Sequence, residues 1–258
     1  MFNNQTILQR KQVISDEISD VVIDWMTGDI RLYQSENEKI EVVQHGDDNL
    51  PEHKLFRYKV NHGRLVITDG RKKILNLGVN LEKTALELYL PNKQFHAISI
   101  TSTGGSIMVG DLNVDSCKCK LTSGNAKLSG RMVELDLQVI GSKITGNHLD
   151  IQKLTLQSTS SAIKLEGEIS ELNINSIGRN IDVRSTKMFQ RIKSVSTGAN
   201  VKIAIPENDG FTLQYKKVAG HLKSDFPLTS SGDIYTYKDG KSLFNAEVRG
   251  GGFTLCRI

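Results

Sequence analysis

The sequence has few aromatic residues and few prolines. Aromatic side chains make up 6% of its 258 residues, and only four prolines occur. Proline cannot donate a backbone hydrogen bond, so its scarcity is typical of a chain that is mostly paired β-strand. Aromatic rings are too bulky to repeat inside a narrow β-coil, whereas Ile, Leu and Val fit there. The composition therefore favours an all-β fold with an aliphatic interior.

A long apolar run and a leader segment are also missing from the sequence. No run approaches roughly 18 apolar residues, so we predict no transmembrane span. The N-terminus, Met-Phe-Asn-Asn-Gln-Thr, has neither a basic nor an apolar region, so we predict no signal peptide. These absences predict a cytoplasmic protein and leave peripheral association with the cell envelope open.

Cysteine is scarce as well, with only Cys117, Cys119 and Cys256. Side chains two residues apart on a strand share a face but lie too far apart for an easy disulfide. No Cys or His pair follows at the spacing of zinc ligands. We therefore predict that Cys117 and Cys119 are buried as small apolar residues. An odd number of free thiols is typical of a reducing compartment.

Charge of neither sign dominates the sequence. The chain has 33 basic and 29 acidic residues, which gives a net charge of +4. The sequence pI of about 8.8 permits a weak attraction to anionic polymers or membranes. No block of like charge concentrates that attraction. We interpret the charges as a solvated mixed surface and predict no nucleic-acid partner.

An internal repeat between 95 and 205 organises the chain. The copies have apolar residues at relative positions 0, 2, 9 and 11, with a small polar turn between the two pairs, although Ser142 and Ser194 replace an apolar residue in two copies. Such short runs of period two, separated by Gly, Ser and Asn, predict strands, and a period near 20 is typical of stacked β-coils. We predict that the apolar positions face the interior and that successive copies pair in parallel. The copies begin, at uneven intervals, at Ile98, Cys117, Val133, Leu154, Leu172 and Ile192.

A single coil cannot be stable by itself. It offers about five inward apolar side chains, each worth roughly 1.5–3 kcal/mol when fully buried. Fixing its backbone costs at least about 1 kcal/mol for each of about 19 residues. Stacking covers both faces of a coil and pairs each strand with its neighbours above and below. A sandwich of antiparallel strands is the alternative, but sandwiches rarely keep a fixed offset between strands.

We therefore predict an all-β fold, a right-handed parallel β-helix (solenoid) with coils of about 19 residues and capped ends. Residues 1–20 are predicted to form an N-terminal lead-in or cap, and 21–258 a single β-solenoid domain. Within that domain 95–205 carry the clearest repeats and 206–258 form a C-terminal closing segment.

The stretch before the clear repeats has signals of its own. Asn61-His62-Gly63 stands between two alternating runs and predicts a β-hairpin. The segment 69–81 is predicted to be turn-like and mobile. Trp25 is the single tryptophan, and we predict that it covers an end of the core rather than stacking on a ligand.

Seven short motifs follow one another in a characteristic order. They are Met26–Ile30, Leu88–Pro91, Thr103–Ile107, Thr122–Ala126, Ile203–Pro206, Gly210-Phe211 and Ser224–Leu228. This order resembles a bacterial family of β-strand-repeat proteins, the DUF4097 type with LiaX-like C-terminal domains. The resemblance covers most of 21–258 and implies an adhesin-like protein, without catalytic residues, from a family linked to envelope-stress responses. Many repeats in that family read Ser-Gly-Asp, whereas Gly-Ser, Gly-Asn and Ser-Ala stand here.

The histidines form no recognisable metal or catalytic motif. The sequence contains no HExxH pattern, nucleophile elbow, Walker loop or dinucleotide fingerprint. His45 and His53 lie near Asp47, Asp48 and Glu52, but we interpret this stretch as a solvated polar loop. The sequence therefore predicts no catalytic, cofactor-binding or metal-binding residues.

The carboxylates likewise give no sign of an enzyme. A glycan-cleaving β-helix needs carboxylates stacked on one outer sheet. Asp136, Asp150 and Asp182 fall at different phases of the repeat, so we do not expect them to converge. Outward ladder positions carry Ser, Thr, Lys and Gln, which suit packing or contact with a glycan.

The sequence thus predicts a non-enzymatic, adhesin-like β-solenoid that serves as a binding or scaffold module linked to the bacterial cell envelope or its stress response. Its partner is predicted to be a protein or an envelope component, and homo-oligomers are left open. Two alternatives stay open as well. One is a self-assembling structural β-helix similar to bactofilins, and the other is a glycan-active β-helix enzyme.

Overall fold

The computed structural model describes residues 7–48, 50–73 and 84–258, and in these ranges the protein is all-β. Two short 3-10 helices, Glu52–Lys54 and Gly70–Lys73, interrupt the strands. No helix in the described ranges has the length and apolar character that a membrane crossing requires. The strands are β1 Ile7–Ile14, β2 Asp20–Trp25, β3 Asp29–Ser35, β4 Ile40–Gly46, β5 Arg57–Asn61, β6 Arg64–Thr68, β7 Thr84–Pro91, β8 Gln94–Ser102, β9 Ser106–Thr159, β10 Ala162–Ile177, β11 Ile181–Ser185, β12 Arg191–Ile205, β13 Gly210–Ser224, β14 Thr229–Ser231, β15 Ile234–Lys238 and β16 Ser242–Arg257.

Successive repeats pair in parallel, as predicted. Leu154 of β9 is in register with Leu172 of β10, and Leu172 with Ile192 of β12. Nine residues predicted to face inward are buried: Ile98, Ile107, Val109, Leu154, Leu156, Ile163, Leu165, Ile181 and Val183. We call the pairing through Ile98, Cys117, Leu154, Leu172 and Ile192 the first ladder, and the pairing through Ile144, Ile163, Ile181 and Val201 the second ladder.

The third copy of the repeat begins at Leu135, so its predicted start at Val133 is wrong. Leu135 is buried, whereas Val133 is not part of the core. Lys118 contacts Asp136 at 3.3 Å, which aligns Leu135 with the cysteine before Lys118. A start at Leu135 makes the intervals to the second and fourth copies nearly equal, whereas a start at Val133 makes them clearly unequal. Two alternating apolar pairs begin two residues apart here, and the earlier one was taken as the start.

The order of strands in the sheet differs from their order in the sequence near both ends. Near the N-terminus, β2 lies between β6 and β8, so it is not an edge strand. Near the C-terminus, β16 lies between β12 and β13. The last strand of the predicted closing segment, β16, therefore lies between two other strands and is not at the edge of the sheet. Its repeat phase is as predicted, because Ala246, Phe253 and Leu255 pair with Ser194, Val201 and Ile203.

Antiparallel strands close both ends of the stack. At the N-terminal end, β4 pairs antiparallel with β7 and β1 with β4, while β5 forms the predicted hairpin with β6. Arg10 of β1 reaches across this end, donates to the carbonyl of Phe56 at 2.9 Å and lies over its ring. At the C-terminal end, β15 pairs with β13 and β14 with β15. Phe211, Phe226 and Tyr237 pack there as an aromatic plug.

A buried ion pair occupies the corner beside Trp25. Arg71 donates to Asp69 at 2.6 Å, and both side chains are almost completely buried. The carboxylate of Asp69 also accepts from the backbone N–H of Met26 at 3.0 Å, and Arg71 donates to the carbonyl of Thr27 at 2.5 Å. Asp69, Gly70 and Arg71 of the predicted mobile segment are therefore buried. Its remainder, 74–81, lies outside the described residues.

Glycines occur where neighbouring backbones approach too closely for a side chain. A Cβ atom on Gly105 would lie 2.1 Å from the carbonyl oxygen of Gly28. A Cβ atom on Gly124 would lie 2.3 Å from the carbonyl oxygen of Gly105. Both residues also have positive φ, which side chains disfavour. The turn at 103–105 and the next turn of the stack can therefore nest directly on each other.

Candidate functional site

A groove crosses the strands on the outer face of the first ladder. Its volume is about 350 Å³. It spans five successive strand segments, at 101–103, 120–122, 138–140, 157–159 and 175–177. The lining residues are Thr101, Ser102, Thr103, Lys120, Thr122, Gln138, Val139, Ile140, Gln157, Ser158, Thr159, Asn175 and Ile177.

The repeat itself brings the polar side chains of the groove together. Gln138, Gln157 and Asn175 each lie three residues after the first apolar position of their copy, at Leu135, Leu154 and Leu172 in turn, and therefore point outward. Gln157 and Asn175 are in register on β9 and β10. Neighbouring strands lie about 4.8 Å apart, so these amides form a continuous row.

Two exposed isoleucines form the apolar part of the groove. Ile140 is 53% exposed and Ile177 is 52% exposed, although most aliphatic residues of this chain are buried. Both follow the amide row by two residues and therefore share its outward face. Val139 and Ser158 are buried and form the floor between them. The groove thus places a polar wall of amides and hydroxyls next to an aliphatic one.

The electrostatics of the groove are simple. Lys120 is the single charged residue among the described residues that line it. The nearest carboxylate, Asp136, is engaged outside the groove, where it contacts Lys118 and accepts from the Nε2 of Gln138 at 3.0 Å. That hydrogen bond holds the Gln138 amide in a fixed orientation. The groove can therefore donate and accept hydrogen bonds, but the described residues of its lining include no carboxylate that could serve as a general acid or base.

Sequence reasoning identified the outward Ser, Thr, Lys and Gln positions as a type, but not this groove. The signal was available, because Lys120, Gln138, Gln157 and Asn175 recur at nearly equal intervals that match the repeat period. The incorrect start of the third copy at Val133 removed Gln138 from that row. The exposed Ile140 and Ile177 gave no signal, since an aliphatic residue at a repeat edge is normally assigned to the core.

The residues considered for a metal site do not come together. His45 belongs to β4 and lies 3.4 Å from Glu87, whereas His53 lies in the first 3-10 helix. Among the described residues, no group of three or more His, Cys, Asp or Glu side chains could hold a metal ion. The predicted loop from His45 also begins later than expected, because β4 continues to Gly46.

The residues considered for glycan cleavage are separated as well. Asp136 lies on the first ladder, whereas Asp182 lies on the second, in register with Lys164 and Lys202. Asp150 contacts Arg131 at 3.5 Å. The three carboxylates thus have different partners and do not form one group, as their different repeat phases predict.

A second cavity, of about 380 Å³, lies beside β3, β4 and β7. The charged side chains that line this cavity form hydrogen bonds and ion pairs with one another. Glu87 accepts from Arg31 at 3.1 Å and from the hydroxyl of Tyr89 at 3.0 Å, and it lies near His45. This cavity is thus lined by an internally paired network, whereas the groove presents its amides and hydroxyls in a row.

Thiol labelling tests the prediction for the cysteines. Cys117 and Cys119 are buried and reduced, and burial raises the pKa of Cys117 far above its ordinary value and that of Cys119 to about 12. Because the thiolate is the reactive form, we expect only the partly exposed Cys256 to react with a thiol reagent in the native protein. Denaturation should release all three thiols. A native count of two or more would contradict the predicted core role.

Comparison with known proteins assigns the family. The model of the family described as Toastrack DUF4097 matches residues 18–242. The chain belongs to this family. Its resemblance to DUF4097 proteins is thereby confirmed. No curated protein is significantly similar to the chain.

Two solved structures are similar to the chain. A putative adhesin from Parabacteroides merdae ATCC 43184 has a TM-score of 0.54 and 13% identity, over 98% of this chain and 97% of that protein. A putative adhesin from Bacteroides fragilis NCTC 9343 has a TM-score of 0.47 and 15% identity, over 99% of each chain. At this identity the Parabacteroides merdae structure supports the DUF4097 fold of the chain and nothing beyond the fold.

Proposed function

We propose that this DUF4097 protein is a non-enzymatic, adhesin-like binding module that holds an extended, hydroxyl-rich polymer of the bacterial envelope in the groove. The observation that carries the proposal is the row of Gln138, Gln157 and Asn175 beside exposed Ile140 and Ile177. We propose further that 21–258 form one right-handed solenoid domain with coils of about 19 residues. In that arrangement the groove runs along the stack axis, so a linear ligand would lie across the strands.

The side chains of the groove suit a polysaccharide. Amides and hydroxyls donate and accept hydrogen bonds, as sugar hydroxyls do. Aliphatic side chains such as Ile140 and Ile177 can cover the C–H faces of sugar rings. A row fixed on paired strands is held rigidly, so little side-chain entropy is lost when a ligand binds.

The same lining supports binding without catalysis. Hydrolysis of a glycosidic bond ordinarily needs two carboxyl groups, about 5–5.5 Å apart in retaining enzymes and about 6.5–9.5 Å apart in inverting ones. The described residues that line the groove include no Asp or Glu. Asp136 lies nearby but is held by Lys118 and Gln138.

The outer edges of the stack favour a single chain over self-assembly. The β1 edge is irregular between Leu8 and Arg10, and the β13 edge between Lys217 and Ala219 and again between Ala219 and His221. Such bulges hinder pairing of one sheet edge with another. These irregular edges therefore fit a binding module better than a filament in which chains pair end to end.

Binding of linear polysaccharides tests the proposal. We expect the double variant Gln157→Ala/Asn175→Ala to weaken binding about thirtyfold, because two hydrogen-bonding groups of about 1 kcal/mol each are lost. The matched control is Gln190→Ala, which removes an exposed glutamine outside the groove. Calorimetry with envelope polysaccharide and with polygalacturonate provides the measurement. If the groove variant and the control bind equally well, the groove is not the site.

A further inference from the structure

A second, smaller depression continues the groove along the first ladder. Its volume is about 160 Å³, and it lies on β12, β16 and the first half of β13. Asn175 lines the groove, and its in-register neighbour Val195 lines the depression. The two surfaces therefore share one outward face. The depression is lined by Lys193, Ser194, Val195, Gln214, Lys216, Asn245, Ala246 and Glu247.

Charge is distributed unevenly over this combined face. Asp136 contacts Lys118 at 3.3 Å, and Glu247 contacts Arg249 at 2.7 Å, so the two carboxylates are already neutralised.

By contrast, Lys120, Lys193 and Lys216 are exposed. None of these three lysines has an ion-pair partner within residues 7–48, 50–73 and 84–258. Glu247 lies in register with Lys216 but is bound by Arg249, so the described part of this face carries three lysines that form no ion pair.

The strand order fixes the spacing of these lysines. Four strand steps lead from Lys120 through Gln138, Gln157 and Asn175 to the strand of Lys193. At about 4.8 Å per step this distance is about 19 Å. Lys216 lies two steps further, across β16, which adds about 10 Å. The uncharged amide row thus lies between Lys120 on one side and Lys193 and Lys216 on the other.

We propose that the ligand of this face is an anionic linear polysaccharide whose acidic groups contact Lys120, Lys193 and Lys216 while uncharged sugar hydroxyls contact the amide row. This inference rests on the proposed function and adds the chemical class of the polymer. Complementary charge at both ends would fix the position of the chain along the groove. The described lining of the two surfaces has no aromatic side chain on which nucleic-acid bases could stack, so a polysaccharide fits better than a single-stranded nucleic acid.

Polygalacturonate and its methyl ester test the charge requirement, because they share a backbone and differ in charge. We expect the wild-type chain to bind polygalacturonate about tenfold more tightly than the ester at low salt. This preference should shrink as salt screens the charges. The variant Lys193→Gln/Lys216→Gln keeps Lys120 and should lose most of this preference. The control Lys164→Gln removes an exposed lysine of the second ladder and should keep the preference.

The possible results separate the two proposals. Equal wild-type affinity for the two polymers, or a preference that survives in Lys193→Gln/Lys216→Gln, overturns the inference while the groove remains a glycan site. Absence of binding to both polymers overturns the proposed function and the inference together. Binding of anionic vesicles or single-stranded DNA that depends on Lys193 and Lys216, without polysaccharide binding, also overturns both.

Discussion

Replacing Arg71 with methionine is expected to destabilise the protein by about 3–5 kcal/mol, because it leaves the buried carboxylate of Asp69 without its cation. Asp69 and Arg71 are 0% and 1% exposed at their side chains and are 2.6 Å apart. Asp69 also accepts from the backbone N–H groups of Met26 and Arg71, so protonation would not restore the native arrangement. Chemical denaturation of the variant and the wild type, followed by circular dichroism, measures the loss.

An exposed pair of the same spacing serves as the control for Arg71→Met. Glu247 and Arg249 are also two residues apart and form a 2.7 Å ion pair, but their side chains are 37% and 58% exposed. Arg249→Met should therefore cost less than about 1 kcal/mol. In the double variant Asp69→Asn/Arg71→Met, the loss should be smaller than the sum of the two single losses, since neither charge is left alone. Strict additivity would show that the two side chains do not stabilise each other.

The interior of this fold could be predicted because burial imposes a period. Ile98, Leu154 and Ile181 must all face inward, and a strand alternates its faces every residue, so their phase can be read from the sequence. The hairpin at Asn61-His62-Gly63 was predictable for a similar reason, since turn residues with positive φ leave a local signal.

The order of coils at the ends could not be predicted in the same way. A repeat specifies the cross-section of a coil but not which coil lies beside it. The coil of β2 and β3 has the same inward pattern whether it lies at the end or one place inside. The same holds for β16, which inserts between β12 and β13. Nothing in the apolar spacing distinguishes these arrangements.

Buried charge and exposed apolar residues were missed for a common reason. Asp69 and Arg71 were assigned to a turn because charged residues are rarely buried unless they are paired. Their backbone partners, Met26 and Thr27, are distant along the chain and leave no local signal beside them. Ile140 and Ile177 were not singled out, because aliphatic side chains are usually buried and nothing beside these two marks them as exposed. In both cases the environment is the opposite of what the residue type suggests.

Ile163→Asp is expected to prevent the protein from folding stably. Ile163 is 3% exposed and lies in register between Ile144 and Ile181 on the second ladder. An aspartate there would place a carboxylate among aliphatic side chains, and burial of an isolated charge costs several kcal/mol or more. This cost is comparable with the whole stability of a domain, about 5–15 kcal/mol. Urea denaturation, or the absence of a folding transition, measures the effect.

The neighbouring change Lys164→Asp shows whether that loss reflects the strand phase. Lys164 is exposed and in register with Asp182, so the new carboxylate would face solvent beside another one. Like charges directly opposite each other cost up to about 1 kcal/mol. Lys164→Asn avoids this repulsion and should change stability by less than about 0.5 kcal/mol. Because a shift of one residue exchanges the two faces of a strand, an equal loss from Ile163→Asp and Lys164→Asp would disprove the inward phase on which the whole stack depends.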